Sequence, residues 1–212
     1  MPLVPGNNDT RQALLEAATE LLRAKGVTGM TTKEVAQAAG RSEGSIYNHF
    51  ADKIDLVNAV LDTHLPTLVA VLVDLPQRVG KGTVRGNLER AVTALVTFHS
   101  EILPVLSGVV GDPEMLARLH ADFLPQDKGP HRPHRGVGDY LRAEQAIGRI
   151  RSTSDCQALA FLLNGACHEY AFLNVVSGQE RNPLAGRRFA STIVRTLLSG
   201  HEPDGPTHTQ ES

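Results

Sequence analysis

The sequence predicts an all-α protein in which a small N-terminal three-helix domain is joined to a larger helical domain. Apolar residues recur at spacings of three and four, glycine and proline divide the chain into segments of helix length, and the alternation typical of strands is almost absent. The 212 residues are 41% hydrophobic and 21% charged, which is enough for a soluble protein with a buried core. Aromatic residues make up only 4% and Trp is absent, so Leu, Val and Ala must form most of that core.

The N-terminal domain is predicted to span residues 9–51. A first amphipathic helix covers residues 9–25 and stops at Gly26. Two short helices follow, at residues 31–39 and 42–49. We expect the terminal residues 1–8 and 201–212 to be disordered tails.

The two short helices carry the start and stop signals of a helix-turn-helix. Thr31 and Glu34 have the spacing of a capping box, which defines where the second helix begins. Gly40 can adopt the left-handed conformation that ends this helix and turns the chain. Ser42 is expected to cap the third helix, and Ile46 and Phe50, four residues apart, to anchor it in the core.

The larger domain is predicted to span residues 52–200. Its first helix starts at a cap on Asp52 and is expected to bend, rather than end, at Pro66. Further helices are predicted at residues 83–103, 113–122 and 136–151. Three loops are predicted, at residues 76–82, 108–113 and 124–135.

Two strongly apolar helices close the chain, at residues 154–176 and from Asn182-Pro183 to Leu198. The first is apolar around more of its circumference than one buried face requires. Paired hairpins from two subunits would bury this excess in a four-helix interface, with the alternative that both helices are simply interior. The residues predicted for the dimer interface are Leu159, Leu162, Gly165, Ala166, Leu173, Phe189, Ile193 and Leu197.

The N-terminal segment resembles the tetracycline-repressor (TetR) family of bacterial transcription regulators. The resemblance covers about residues 10–60 and rests on residue type and spacing: Thr31-Thr32, Val35-Ala36, Ala39-Gly40, Ser42, Gly44-Ser45-Ile46-Tyr47, His49-Phe50, Lys53 and Leu56. It implies a homodimer that binds an operator in double-stranded DNA, and a helical body that senses a small molecule. The rest of the chain matches the family only in kind, as a helical body of the right length.

Residues 31–50 contain only two basic side chains, Lys33 and Arg41, so hydroxyl groups and helix N-termini must supply part of any grip on phosphates. By family position, backbone contacts are expected from Thr32, Ser45, Tyr47, His49 and Lys53, and Arg41 is a further phosphate candidate. The residues best placed for base edges are Lys33, Glu43, Gly44 and Asn48. With so few charges in each subunit, specific binding would need two reading heads on a palindrome.

The effector is predicted to be a small apolar or amphipathic organic molecule, because the candidate lining is mainly aliphatic and aromatic. An acidic effector that meets the histidines is the alternative. The predicted pocket residues are Leu68, Leu72, Leu95, Phe98, His99, Leu103, Leu106, His120, Phe123, Tyr140, Leu163, Cys167, His168 and Phe172. We expect no metal site, because His131 and His134 stand in a proline-containing loop without acidic or cysteine companions.

Other classes of function find little support in the sequence. It contains no nucleophile elbow, phosphate-binding glycine loop or paired carboxylates at motif spacing, so we expect neither an enzyme nor a cofactor. Asp, Pro and Gly interrupt the apolar runs and no signal peptide is visible, so we expect a cytoplasmic protein without membrane spans. The main alternative is a DNA-binding protein that is constitutive or controlled by a protein partner, without a small-molecule effector.

Overall fold

A computed structural model describes residues 7–123, 131–179 and 182–201; within these, the side chains of residues 7, 64–72, 122–123 and 131 are not described. The described residues form nine helices and confirm the all-α prediction. In chain order the helices are α1 (Asn7–Gly29), α2 (Thr32–Ala38), α3 (Gly44–Tyr47), α4 (Lys53–Gln77), α5 (Val84–Val110), α6 (Pro113–Phe123), α7 (His131–Ala146), α8 (Cys156–Val176) and α9 (Pro183–Leu198).

The chain packs as two compact units. The first contains residues 1–66 and 101–128, and the second contains residues 67–100 and 129–212. The long helices α4 and α5 therefore each contribute one part to each unit. These units are defined by packing alone. The boundary at residue 52 between a DNA-binding domain and an effector-binding domain stays a prediction.

The core of the first unit joins the three N-terminal helices to the start of α4 and the end of α5. Its fully buried anchors include Leu14, Val35, Ile46 and Leu56. Gly26 breaks α1 with φ 69°, ψ 175°, as its predicted role as a stop requires. Beyond this break, α1 approaches α5 so closely that a Cβ atom at Gly108 would lie 2.6 Å from Val27 Cγ2.

The core of the second unit forms where α7 packs along α8, with further apolar side chains from α5 and α9. Asp155 caps α8 by accepting hydrogen bonds from the backbone of Gln157 and Ala158. Asn182 caps α9 in the same way and Pro183 follows at the first helical position, as predicted. Both cysteines, Cys156 and Cys167, are buried free thiols in this unit.

The third helix begins later than predicted. Ser42 does not cap it: the N-cap is Glu43, whose backbone is already helical (φ −58°, ψ −37°) and whose side chain makes no capping bond. The chain enters α3 instead through bonds between residues three apart, from the N–H of Ser45 to the carbonyl of Ser42 and from the N–H of Ile46 to that of Glu43. The Ser42 hydroxyl lies 3.0 Å from the Ser45 hydroxyl.

Three helix boundaries in the larger domain also differ from the prediction, and one of them is the end of the seventh helix, at Ala146 instead of residue 151. The fifth helix continues through Pro104 to Val110, because burial of Val105 and Val109 offsets the hydrogen bond that proline removes. The seventh helix starts at His131 rather than residue 136, since Pro133 stands in the first turn, where no intrahelical N–H is needed. Residues 131–135 are thus helical, and the remaining part of the predicted loop, residues 124–130, lies outside the described residues.

Among the described residues two helices, α5 and α8, have the length and hydropathy of a membrane span, although Pro104 interrupts the first and Gly165 the second. Core helices of folded domains meet the same test. Leu88, Val92 and Leu95 of α5, and Leu163 of α8, are buried core residues. The apolar character of these helices is therefore explained in part by packing within the chain.

Candidate nucleic-acid interface

A capping box fixes the start of α2. Thr31 Oγ1 accepts from the backbone N–H of Glu34 at 3.2 Å, and the backbone N–H of Thr31 donates to Glu34 Oε2 at 3.1 Å. Lys25 Nζ donates to the second oxygen of Glu34 at 2.6 Å, which ties the end of α1 to the same carboxylate. The hydrogen bond from Lys25, followed by those from Thr31, lowers the pKa of Glu34, so the carboxylate stays ionised.

Buried anchors hold α3 with one side in solvent. Ile46 is fully buried and Phe50 is 2% exposed, so both fill the core of the first unit as predicted. On the opposite side Glu43, Gly44 and Asn48 are exposed, and Tyr47 is 56% exposed. Three of the four residues expected to read bases therefore stand in solvent at this short helix, which cannot turn about its axis without exposing its anchors. The fourth, Lys33, belongs to α2.

The predicted backbone contacts surround this exposed side. Thr32, Ser45, His49 and Lys53 are half-buried, and the Thr32 hydroxyl lies 3.4 Å from Glu43 Oε1. Tyr47, the fifth predicted backbone contact, is exposed beside Asn48. This arrangement combines hydroxyl groups, an imidazole and a lysine, which is the mixture that phosphate contacts use.

The helix-turn-helix segment has two basic side chains, Lys33 in the first turn of α2 and Arg41 in the turn between α2 and α3. Lys33 is exposed. Arg41 is half-buried, and within the described part of the chain its Nε atom has no hydrogen-bond partner. This nitrogen of the guanidinium therefore makes no hydrogen bond to any other described residue.

The start of α4 is fixed beside this surface. Asp52 Oδ1 accepts from the backbone N–H of Asp55 at 2.8 Å, and Asp55 Oδ2 accepts from the N–H of Ala51 at 2.9 Å. Arg118 of α6 lies 3.2 Å from the other oxygen of Asp52. The backbone bond from Asp55, with a smaller contribution from Arg118, lowers the pKa of Asp52.

The sequence of residues 14–60 matches the family model of the tetR family of bacterial regulatory proteins. This segment contains most of α1, all of α2 and α3 with the exposed polar side, and the start of α4. This N-terminal segment is a TetR-family segment.

Curated relatives match this chain mainly in the N-terminal part. It is 35% identical over 98 residues to the HTH-type transcriptional repressor KstR2 of Mycobacterium tuberculosis, across 45% of this chain and 49% of that protein. Several other HTH-type regulators match over 52 to 55 residues, which is about a quarter of this chain and 24% to 40% of their own lengths.

Solved structures extend the likeness to the whole fold. A protein of Mesorhizobium loti assigned to the TetR family has a TM-score of 0.74 at 20% identity, covering 94% of this chain and 100% of that one. The regulator FadR from Bacillus subtilis, solved in complex with stearoyl-CoA, has a TM-score of 0.68 at 16% identity, covering 89% of this chain and 98% of that one. At these identities the likeness concerns the fold alone.

The residues predicted for an effector pocket fall into three groups. In the second unit Leu95, Phe98, His99, Tyr140, Leu163 and Cys167 are buried, while His168 and Phe172 are exposed. In the first unit Leu103 is buried, Leu106 is partly buried and His120 is exposed. The side chains of Leu68, Leu72 and Phe123 lie outside the described residues.

Four of the second-unit residues form a continuous series of ring contacts. Phe98 packs on His99 with centroids 5.4 Å apart, His99 packs on His168 at 5.3 Å, and His168 stacks on Phe172 at 6.4 Å. The imidazole Nε2 of His99 lies 3.2 Å from Asn164 Oδ1, a partner that the sequence did not single out. Burial lowers the pKa of His99, so the ring is held in its neutral form.

Two other pocket candidates are already engaged within the protein. The Tyr140 hydroxyl accepts from Asn87 Nδ2 at 2.8 Å, and burial raises its pKa. Burial likewise raises the pKa of Cys167 to about 12. No group of three or more potential metal ligands occurs within residues 7–123, 131–179 and 182–201.

The predicted dimer residues are divided between the surface and the core of the second unit. Leu162, Gly165 and Leu173 are exposed, but Leu159 is 6% exposed and faces the interior of its own subunit. The remaining predicted residues are half-buried: Ala166, Phe189, Ile193 and Leu197. Sequence reasoning missed Phe161, which is 65% exposed, although its spacing with Gly165 and Phe172 follows one side of a helix.

Proposed function

We propose that this regulator binds a palindromic operator as a homodimer and represses transcription in the cytoplasm until a small apolar or amphipathic organic effector releases it. The observation that carries the proposal is the exposed polar side of α3. Glu43 and Asn48 stand in solvent, while Ile46 and Phe50 fix the helix from behind. A helix presented in this way can enter a major groove, where Asn48 suits adenine and Glu43 can accept from the cytosine amino group.

The exposed apolar side of α8 supports a homodimer. Phe161, Leu162, Leu173 and Val176 are each more than half exposed, although the helix belongs to the core of its unit. An exposed apolar surface of this kind is typical of an interface between subunits. A dimer would also join two reading heads that are each weak alone, because each carries few cations.

Two observations support a partly apolar effector. The series of rings from Phe98 to Phe172 combines apolar faces with the neutral imidazole of His99 and the amide of Asn164, which can orient a polar group by hydrogen bonding. FadR of Bacillus subtilis, which shares this fold, was solved with stearoyl-CoA, a molecule with a long hydrocarbon chain. Effector binding would act through α4, which begins directly after the helix-turn-helix, by favouring a conformation in which the two heads no longer fit the operator.

The operator can be found by selection. Purified full-length protein is incubated with a library of random duplexes, and the bound fraction is amplified and sequenced. We expect inverted half-sites with centres one helical turn or a small multiple apart. A single half-site or no enriched sequence would contradict the dimeric mode of binding.

The effector can then be sought by release of the selected operator in gel-shift assays with fatty acids, acyl-CoA esters and hydrophobic drugs. We expect at least one of these classes to release the DNA and to raise the melting temperature of the free protein. Operator binding that no compound alters would count against a small-molecule effector and favour control by a protein partner.

A further inference from the structure

We infer that Arg11, near the start of α1, is a further contact to the DNA backbone and belongs to the same interface as α3. This inference rests on the proposed placement of the duplex against α3. It concerns a residue that lies outside the helix-turn-helix segment and that the sequence pattern does not single out.

Arg11 is held beside the end of the helix-turn-helix by an aromatic ring. Its guanidinium carbon lies 5.2 Å from the centroid of the Phe50 ring, within the range of a cation–π interaction. Phe50 is 2% exposed and anchored in the core, so the ring is a fixed support for an otherwise flexible side chain. A cation–π contact uses none of the N–H donors of the guanidinium in a hydrogen bond to a carboxylate, so they stay free for an acceptor such as phosphate.

The charge of Arg11 is not neutralised within the described residues. Arg23, further along α1, pairs with Glu20 at 3.1 Å, and Arg118 pairs with Asp52 at 3.2 Å. Arg11 is exposed, and across the described part of the chain no carboxylate lies within ion-pair distance of it. It therefore offers a full positive charge to solvent beside the segment where the sequence supplies few cations.

The position of Arg11 fits a duplex that contacts α3. The ring of His49, a predicted phosphate contact, lies 6.3 Å from the Phe50 ring. Arg11 and His49 are thus within about 12 Å of each other, because both lie close to the same ring. Since duplex DNA carries one phosphate charge for about every 1.7 Å of its axis, both side chains can meet phosphates of one bound duplex.

A purely structural role for Arg11, as a clamp that holds α1 against Phe50, predicts a different result from a phosphate contact. Loss of a phosphate contact weakens binding to all sequences. It also reduces the slope of log K against log [salt], because one fewer phosphate is neutralised and fewer counterions are released. Loss of a clamp destabilises the fold or moves α3 without removing a charge from the DNA contact. The salt dependence of binding therefore distinguishes the two roles.

The experiment compares the full-length wild type with Arg11→Gln, Arg11→Lys and the control Arg23→Gln, which removes the same charge from the same helix. Binding to a fluorescein-labelled duplex of random sequence is measured by anisotropy over a series of KCl concentrations, and melting temperatures are recorded in parallel. For Arg11→Gln we expect weaker binding and a slope of log K against log [KCl] that is smaller by about 0.9 for each bound subunit. Arg11→Lys should keep the wild-type slope, and Arg23→Gln should keep both slope and affinity.

Several results would overturn the inference. An Arg11→Gln protein with the wild-type slope excludes the phosphate contact, whether or not its affinity falls. If the slope of log K against log [KCl] decreased equally in Arg11→Gln and Arg23→Gln, the effect would come from the net charge of the protein and not from a contact at Arg11. If the wild-type protein shows no salt-dependent binding to DNA, the proposed function itself fails, and this outcome differs from an unaltered Arg11→Gln variant.

Discussion

The guanidinium of Arg118 lies 3.2 Å from a carboxylate oxygen of Asp52, so α6 is linked to the residue that caps α4. Both side chains are more than 40% exposed, which limits the free energy that the ion pair itself contributes. The cap matters more, since Asp52 also accepts the backbone N–H of Asp55. We expect Asp52→Ala to lower the free energy of unfolding by about 1 kcal/mol.

Two matched variants separate the cap from the ion pair. Asp52→Asn keeps a capping side chain without its charge and should recover most of the loss, whereas Arg118→Gln should change stability by less than about 1 kcal/mol. Urea titration measures all three. Because the pKa of Asp52 is lowered in the folded state, its stabilisation is present above the unfolded value of 3.8 and is lost as pH falls through the lower folded pKa. A loss in Arg118→Gln as large as that in Asp52→Ala would show that the ion pair, not the cap, is the main interaction.

Base readers and backbone contacts should respond differently to mutation. Asn48→Ala should relax the preference at one operator position, with a loss of discrimination of about 1–3 kcal/mol. Lys53→Ala should weaken binding to the operator and to all its variants by the same factor, because a phosphate contact does not depend on the base sequence. Affinities for the selected operator and for its single-base variants provide the measurement. If Asn48→Ala weakened every variant equally, Asn48 would be a backbone contact.

The apolar side of α8 should be sensitive to a buried charge. Leu173 is 53% exposed, so Leu173→Glu should leave the fold of the subunit intact but disrupt a dimer. We expect a monomer in analytical ultracentrifugation and operator binding weaker by about a hundredfold or more. Val110→Glu is the control, because Val110 is equally exposed at 56% but lies at the end of α5. A dimeric Leu173→Glu protein would place the interface elsewhere.

Acidification should destabilise the regulator partly through His99. Burial, and to a smaller extent the nearby His168, lower its pKa, so the unfolded chain takes up a proton at a higher pH than the folded one. Stability should therefore fall as pH decreases from the ordinary value of 6.5 towards the folded pKa, with a slope of at most about 1.4 kcal/mol per pH unit. Urea titrations at several pH values should show this dependence in the wild type and in His168→Gln, but not in His99→Gln. A dependence that survives in His99→Gln would belong to another group.

The parts of the interface that the sequence could predict are those with local signals. Thr31 and Glu34 are three residues apart, and Asn182 directly precedes Pro183. The caps of α2 and α9 are therefore specified by residues that are close in sequence. The start of α3 was mispredicted because a helix of four residues can begin through bonds between residues three apart, without a side-chain cap. In such a short segment, a serine that follows a turn glycine is not a reliable start signal.

Contacts between distant parts of the chain could not be predicted in this way. The distances from Arg118 to Asp52, from Arg11 to Phe50 and from His99 to Asn164 depend on how helices pack, and no spacing in the sequence encodes them. Periodicity indicates which side of a helix is apolar but not what covers it. The same limit explains why Leu159, apolar and in register, lies inside its own subunit.

The close approach of Gly108 to Val27 ties the identities of these two positions together. A methyl group at position 108 would clash with the branched, buried side chain of Val27, and this clash would push the end of α1 away from α5. Orthologues that carry alanine at 108 should therefore carry a smaller residue than valine at 27, and a Gly108→Ala protein should regain stability when Val27→Ala is added.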